Sequence, residues 1–399
     1  MKLNLGFIFL GFFSTACLAK TPLVLLSIDG FAQRYLAQYQ PSTLNALVKQ
    51  GTSAKALLPV FPSKTFPNHL SIITGQYPAN HGIVHNDFFH RDVAQEYQLG
   101  AGKNESRWLT AEPLWHINEQ QGNKSAVYFW PESEATNKAP SYYFPYQHFT
   151  PNETRLERIL AWLRLPESQR PNFIAGYFAS VDDAGHDFGE NSPELKQAIS
   201  NLDKLIANFV QQINREFNGK VNLVIVSDHG MTKIAPEHVI KWQTMHTDEV
   251  HVVNGSTQLY LYSKNTKKLK DSIHAFEKNQ PKSNNKSYNI YQYPNYPKHW
   301  QLSKAGAAIP DAIIDAQPSY IFDKGDKDID PETHGYDPKN QPDLNAIFIA
   351  VGPSFKKNVQ IDAFENIHVL PILTRALGLK DVKNIDGKYE IAKKIVTPQ

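Results

Sequence analysis

Short, mostly apolar runs constrain the fold of this chain more than any other feature of the sequence. The clearest are 22–29 (PLVLLSID), 172–178 (NFIAGYF) and 221–226 (VNLVIV). Apolar runs of this length are typical of strands that are buried on both faces of a parallel sheet. Segments with apolar residues at helical spacing lie between them, most clearly 193–217. This alternation predicts an α/β fold with a mostly parallel, doubly wound sheet.

An acidic residue lies at or just past the end of each of these three runs. The residues are Asp29, Asp182 and Asp228, and His229 follows the last of them directly. Because the carboxyl ends of parallel strands meet at one edge of a sheet, where α/β proteins place functional residues, we expect these side chains to lie close together.

The rest of the 399-residue chain predicts one domain over 20–399, with an insertion or cap at about 241–330. Within this domain the sequence predicts a second strand at 54–60 and an aromatic, proline-rich loop at 131–151. Neither a GxGxxG nor a Walker A sequence is present. The formal net charge is +2 and no block of lysine and arginine stands out, so no specific nucleic-acid binding is expected. The sequence carries no signal for an oligomeric state.

The first nineteen residues resemble a secretory signal peptide, with a basic start, an apolar run at 5–13 and small residues after it. Cleavage after Ala19 would remove Cys17, the single cysteine of the chain. Cleavage before Cys17 would instead give a lipid-anchored protein, but Ser14 stands where a lipobox prefers leucine. Both interpretations predict an exported protein, periplasmic or secreted, and any metal site in it would use histidine and carboxylate ligands.

The segment 60–86, VFPSKTFPNHLSIITGQYPANHGIVHN, contains a candidate nucleophile. Thr65 precedes a stretch that can begin a helix, with Pro67 near its first turn. Unpaired N–H groups at a helix N-terminus favour an anion such as phosphate. On the residues alone, Thr65 is either a nucleophile or a helix cap.

Three carboxylates and three imidazoles form a candidate metal centre: Asp29, Asp182, His186, Asp228, His229 and His334. Such a set is what two adjacent zinc-like ions would need. Asp182 and His186 are four residues apart across a glycine-containing turn, so both could face one ion. Taken singly, each could also be a cap or a hydrogen-bonded side chain.

Asp326, Asp328 and Asp330 alternate like the start of a calcium loop. Pro331 occupies the position at which such a loop needs glycine. We therefore predict a solvated loop that leads to His334.

The segments TFPNH, TGQYPANHGIVHN, VDDAGHDFG, SDHGM and HGY, in this order, resemble the nucleotide pyrophosphatase/phosphodiesterase family of the alkaline phosphatase superfamily. The resemblance runs from residue 23 to about 377. It implies an alkaline-phosphatase-like fold, with helices on both faces of the sheet and a cap-like insertion. It also implies two zinc ions per chain, one held by Asp182, His186 and His334, the other by Asp29, Asp228, His229 and the Thr65 oxygen.

The resemblance further implies a small-molecule nucleotide substrate and a phosphothreonine intermediate on Thr65, with release of nucleoside 5'-monophosphates. Asn86 would donate its amide to a phosphoryl oxygen beside the N–H of Phe66. Phe66 and Tyr143 would hold the base between them. Tyr142 and Tyr146 are so close in sequence to Tyr143 that either could be the residue that corresponds to the family's tyrosine. Tyr143 could instead pack the aromatic loop that contains it.

Two other functions stay open on the sequence. A phosphomonoesterase or phosphonate hydrolase of the same superfamily would need extra cations at the site, and Arg91, Arg107 and Lys138 are the candidates. A catalytically silent metal-binding surface protein is the other, although every position that matches the family's catalytic residues is intact.

Overall fold

The computed structural model describes residues 20–397 except 104, 106, 136, 246, 282–285, 303–305, 326–327 and 340. The predicted signal peptide and Cys17 lie outside the described residues and stay predictions. None of the helices formed by the described residues combines the length and apolarity that crossing a bilayer requires.

The strands of the described residues are numbered in chain order: β1 Leu23–Ile28, β2 Thr52–Ala54, β3 Leu57–Leu58, β4 Phe88–His90, β5 Gln95–Tyr97, β6 Ser125–Tyr128, β7 Tyr142–Phe144, β8 Phe173–Phe178, β9 Asn222–Val226, β10 Thr232–Lys233, β11 Val239–Ile240, β12 His251–Asn254, β13 Gln258–Tyr262, β14 Tyr288–Gln292, β15 Ala312–Ala316, β16 Ile321–Phe322, β17 Glu332–Thr333, β18 Phe348–Val351, β19 Val359–Ile361 and β20 Phe364–Glu365.

The α-helices of the described residues are α1 Tyr35–Gln38, α2 Ser42–Gln50, α3 Thr65–Thr74, α4 Pro78–His81, α5 Leu114–Gln120, α6 Asn152–Leu163, α7 Ser180–Phe188, α8 Pro193–Phe217, α9 Thr266–Asn279, α10 Val369–Ala376 and α11 Glu390–Ile395. Short 3-10 helices span Gln243–Met245, Lys298–Trp300, Pro342–Leu344 and Asn366–His368.

Eight strands form the central sheet in the order β19-β2-β18-β9-β1-β8-β6-β7. Strand β18 runs antiparallel to both of its neighbours, and the other pairs are parallel. In the middle of the sheet Leu25 pairs with Ala175 on one side and with Val224 on the other. The prediction of a mostly parallel sheet is therefore confirmed, and the ends of β1, β8 and β9 lie side by side.

Helices cover both faces of this sheet, because its central strands are apolar on both sides. Leu23 and Leu25 of β1 belong to one core, which includes residues of α3, α5 and α10. Val24, Leu26 and Ile28 belong to the other, which includes residues of α2, α6, α7 and α8. Burial of one such aliphatic side chain contributes about 1.5–3 kcal/mol. The two cores keep the sheet and the strand ends that carry the acidic residues in place.

A second sheet lies within the range that the sequence predicts as an insertion. It is antiparallel, has the order β12-β13-β15-β14, and shares a separate core with α9. Its strand β13 contacts two segments of the candidate site: Tyr260 donates to the carbonyl of Val84 at 3.2 Å, and Gln258 donates to the carbonyl of Gly335 at 2.9 Å. The insertion thus supports the loops that carry Asn86 and His334. Its boundaries as a domain stay a prediction.

Two segments differ from the sequence-based expectation. The predicted loop at 131–151 contains β7, which pairs with β6 and extends the sheet at its edge. The predicted strand at 54–60 consists of two short pieces, the end of β2 and β3, because Lys55 bonds to Ile361 whereas Leu57 bonds to Ala346. Both differences come from pairing partners that lie outside the segment itself.

Candidate active site

Thr65 is the first residue of α3, and the turn before it is fixed by a buried asparagine. Asn68 accepts a hydrogen bond from the N–H of Val60 at 2.8 Å and donates to the carbonyls of Pro62 and Lys64 at 2.9 and 2.8 Å. The Thr65 hydroxyl lies 3.4 Å from Nε2 of His229. The threonine is therefore held at a helix N-terminus and faces the candidate metal ligands.

Asp29, Asp228 and His229 form the first ligand group, at the ends of the adjacent strands β1 and β9. One ligand atom from each lies within 4.8 Å of the others. Nε2 of His229 is 3.4 Å from Oδ1 of Asp29 and 3.0 Å from Oδ2 of Asp228. Consecutive residues converge here because they follow the strand and no longer alternate across the sheet.

Asp182, His229 and His334 form the second ligand group, with the same limit of 4.8 Å between ligand atoms. The His334 ring stacks on the His229 ring, with centroids 3.6 Å apart. Nδ1 of His334 donates to the carbonyl of Ser63 at 2.9 Å, and its Nε2 lies 3.9 Å from Oδ1 of Asp182. His229 therefore lies between the two groups.

His186 lies at the outer side of the second group, with Nε2 3.6 Å from Oδ2 of Asp182. The two residues lie one turn apart on α7, not across the turn that the sequence predicts. This helix forms because Asp182 and Asp183 occupy its first turn and His186 its last, as the helix dipole favours, and it ends at Gly189 with φ of 75°. All six predicted ligands thus lie in one cluster.

The cluster has the electrostatics of a cation site. Burial, reinforced by the charges of Asp228 and Asp182, raises the pKa of Asp29 well above its usual range. Burial beside His229 lowers the pKa of His334 well below its usual range, so its imidazole is neutral and can be a ligand. Oδ1 of Asp29 and Oδ1 of Asp182 are buried without a hydrogen-bond partner. These oxygens and imidazole nitrogens fit zinc, which would compensate the buried negative charge.

Two residues that the sequence analysis does not assign to the site contact its carboxylates. The Tyr177 hydroxyl donates to Oδ2 of Asp29 at 2.6 Å. Nδ1 of His69 lies 3.3 Å from Oδ2 of Asp228, and its Nε2 lies 2.9 Å from the Ser27 hydroxyl. Tyr177 belongs to an apolar strand run, so no local pattern distinguishes it.

A cavity of about 470 Å³ opens beside Thr65. Phe66, Asn86, Trp130 and Tyr146 are among the residues that line it, as is Lys103. The N–H of Phe66 donates to Oδ1 of Asn86 at 2.9 Å, which leaves the amide nitrogen of Asn86 as a donor.

The structure places Tyr143 away from this cavity. It lies on the edge strand β7, is 40% exposed, and is not among the lining residues, whereas Tyr146 is. Of the three tyrosines that could correspond to the family's base-stacking residue, Tyr142, Tyr143 and Tyr146, only Tyr146 lines the same cavity as Phe66.

Arg91, Arg107 and Lys138 do not line the cavity. Arg91 pairs with Asp311 at 2.7 Å, and Arg107 pairs with Glu105 at 3.1 Å. Lys138 donates to the carbonyls of Leu109 and Ala111, both at 2.9 Å.

The sheet, its two helical layers and the acid- and histidine-rich centre at its strand ends define an alkaline-phosphatase-like α/β protein. The solved structure of murine ectonucleotide pyrophosphatase/phosphodiesterase 5 matches it with a TM-score of 0.86 at 25% identity, over 94% of this chain and 100% of that one. The family model "type I phosphodiesterase / nucleotide pyrophosphatase" matches residues 23–337. The chain belongs to this family.

Curated relatives agree with this assignment. A venom phosphodiesterase of Naja atra is 32% identical over 382 residues, which are 92% of this chain and 45% of the relative. Ectonucleotide pyrophosphatase/phosphodiesterase family member 3 of Rattus norvegicus is 29% identical over 92% of this chain and 43% of the relative. The chain thus spans a little under half the length of these relatives. A solved structure of an inactive threonine-to-alanine variant of the murine protein, in complex with AMP, also matches with a TM-score of 0.86 at 25% identity, over 95% of this chain and 100% of that one.

Proposed function

We propose that this protein is a two-zinc hydrolase that cleaves nucleotide phosphodiester and pyrophosphate bonds and releases nucleoside 5'-monophosphates. One observation carries the proposal: the Thr65 hydroxyl, at the N-terminus of α3, lies beside a buried cluster of carboxylates and imidazoles that has unpartnered oxygens. The AMP complex of the inactive murine variant supports a nucleotide substrate, and the name of the venom relative supports cleavage of a phosphodiester bond.

In this proposal Asp182, His186 and His334 hold one ion, while Asp29, Asp228, His229 and the Thr65 oxygen hold the other. Bound zinc would favour the alkoxide form of the threonine and neutralise charge on the phosphoryl oxygens. The Tyr177 hydroxyl keeps one oxygen of Asp29 engaged at 2.6 Å, so the carboxylate presents its other oxygen to the ion.

The reaction has two steps. The Thr65 oxygen attacks phosphorus, the bond to the leaving oxygen breaks, and a phosphothreonine ester forms. Water then attacks the same phosphorus and restores the threonine, so that two inversions give net retention. The side-chain nitrogen of Asn86 donates to a phosphoryl oxygen, as does the Phe66 N–H once substrate takes the place of Asn86 Oδ1.

The nucleobase would lie between Phe66 and Tyr146. Both line the cavity, and aromatic stacking tolerates any base. We therefore assign to Tyr146 the contact that the sequence match gives to Tyr143.

The phosphomonoesterase alternative needs an added cation for a doubly charged terminal phosphate. The candidates Arg91, Arg107 and Lys138 are engaged outside the cavity, and Lys103, which lines it, is exposed to solvent. We therefore favour a diester substrate.

The test compares a nitrophenyl ester of thymidine monophosphate with nitrophenyl phosphate, with and without chelator. We expect the diester to be cleaved faster and chelator to abolish cleavage. Thr65→Ala should lose at least about three orders of magnitude in kcat while it keeps its zinc, and Thr65→Ser should retain measurable activity. A preference for the monoester would reject the diesterase assignment, and activity of the zinc-loaded Thr65→Ala variant would reject the nucleophile.

We propose in addition that the protein is exported to the periplasm or secreted, on the basis of the signal-like residues 1–19. N-terminal sequencing of the protein from an expressing cell should give Lys20 as the first residue. A retained Met1 would contradict this.

A further inference from the structure

Of the three acids that resemble a calcium loop in sequence, Asp328 and Asp330 have different environments in the fold, and Asp326 lies outside the described residues. Oδ2 of Asp330 lies 3.5 Å from Nδ1 of His186, and Nζ of Lys324 lies 2.9 Å from the same oxygen. The Asp330 side chain is half-buried, with 32% of its surface exposed, whereas Asp328 in the same loop is exposed. The loop therefore does not simply lead to His334, because its last acid contacts a candidate metal ligand.

His186 differs from the other two histidines of the centre in how its ring is held. The side chain of His186 is 24% exposed, against 5% for His334 and 0% for His229. Nδ1 of His334 and of His229 face backbone carbonyls, those of Ser63 and Gly230. Nδ1 of His186 faces the carbonyl of Glu332 at 3.1 Å and, in addition, the Asp330 carboxylate. His186 is thus the most exposed of the three histidines and the one whose Nδ1 faces a carboxylate, that of Asp330.

We propose that Asp330 is a positioning residue that sets the zinc affinity of the Asp182, His186 and His334 position through the His186 ring. The inference rests on the proposed function, since it assumes the two zinc positions. With its Nδ1–H directed at Glu332 and Asp330, His186 keeps the lone pair of Nε2 for the metal. A carboxylate on the far nitrogen makes an imidazole more basic and fixes its orientation.

Lys324 completes the arrangement. Its ammonium group donates to the same Asp330 oxygen that faces His186, so the carboxylate has less freedom to turn to solvent. Both residues belong to the segment between β16 and β17, at the end of the predicted insertion. The insertion would therefore contribute to metal retention as well as to the support of the site loops.

The test measures zinc binding and needs no turnover. Wild type, Asp330→Asn, the matched loop control Asp328→Asn, and His186→Ala are titrated with zinc against a chromophoric chelator. We expect Asp330→Asn to bind one zinc ion with wild-type affinity. Its affinity for the second ion, at the Asp182, His186 and His334 position, should be about 10 to 100 times lower. Asp328→Asn should match wild type, and Asp330→Glu should recover part of the loss.

A double variant distinguishes positioning from a merely structural role. If Asp330 acts through His186, adding Asp330→Asn to His186→Ala should weaken the second ion no further. The metal-free Asp330→Asn protein should also unfold at the wild-type denaturant concentration. Wild-type affinity for both ions in Asp330→Asn, an equal loss at both ions, or an additive loss in the double variant would overturn the proposal. A wild type that binds fewer than two ions would instead reject the two-zinc centre itself.

Discussion

Replacing Asp29 with asparagine should stabilise the metal-free protein and reduce the stability that zinc adds to it. Asp29 is 1% exposed, and its carboxylate has a ligand atom within 4.8 Å of one from Asp228. Asparagine keeps the shape and can still accept the hydrogen bond from Tyr177, but it carries no charge. Without metal, the substitution removes like-charge repulsion. With metal, it removes an anionic ligand.

The distance sets the size of the first effect. Two unit charges 4.8 Å apart repel by about 3 kcal/mol at an effective dielectric constant of 20. Wild type relieves part of this by keeping a proton on Asp29, whose pKa burial raises, so we expect a net gain of about 1–3 kcal/mol for the metal-free variant. In the presence of zinc, we expect the variant to bind one ion about 100-fold more weakly. With free zinc at about 100 times the wild-type dissociation constant, this weaker binding removes about 2–3 kcal/mol of the stability that zinc supplies.

Denaturant unfolding of both proteins at pH 7.5, in chelator and in a zinc buffer, measures both effects. Asp203→Asn is the matched control, because Asp203 is also buried, at 4% exposed, and accepts hydrogen bonds from the N–H groups of Thr43 and Leu44 at the start of α2. It should destabilise the protein equally in both conditions. A metal-free Asp29→Asn protein that is less stable than wild type, or that gains as much from zinc, would refute the reasoning.

Three further predictions follow from other parts of the structure. Tyr146→Ala should raise KM for a nucleotide ester about 5- to 100-fold through lost stacking, whereas Tyr143→Ala should leave it nearly unchanged; steady-state kinetics with both variants checks this. Burial raises the pKa of Asp315 to about 8, so the native state holds a proton that the unfolded chain releases, and stability should fall as pH rises from about 4 to about 8. Asp315→Asn should therefore give a flatter profile of denaturation midpoint against pH. A profile that is unchanged in this variant would contradict the prediction. Trp300→Ala should lose about 3–5 kcal/mol in denaturant unfolding, because Trp300 is 1% exposed and stacks on Phe61 with centroids 3.7 Å apart; a loss below 1 kcal/mol would show that the contact is replaceable.

The sequence predicts the parts of this fold whose signal is local. Strand β9, Asn222–Val226, is apolar at every position after its first, and the periodic segment 193–217 is α8 from its first residue to its last. A strand that is buried on both faces is apolar at nearly every position, and a long surface helix repeats its apolar residues at 3.6-residue spacing, so both patterns are recognisable without their packing partners.

Elements that depend on distant partners are not predictable in this way. Strand β7 lies in a segment rich in aromatic residues and proline and is a strand because β6 offers it an edge. The choice between Tyr143 and Tyr146 has the same origin. Tyr143 lies on the edge strand β7 and Tyr146 lies after its end, and the position of the neighbouring elements decides which of them faces the cavity.

The candidate site shows the same distinction between features with a local sequence signal and features that depend on other parts of the chain. The side chains of the proposed chemistry are recognisable in the sequence, because Thr65, the three aspartates and the three histidines lie in short motifs whose residue types and order are specific. The surroundings of these side chains depend on the folded chain. His229 lies between the two ligand groups, Tyr177 donates to Asp29, and Asp330 contacts His186 although the two are 144 residues apart in sequence. Ligand identity is a property of the residue and its neighbours in sequence, whereas the contacts that orient a ligand arise when separate strands and loops pack together.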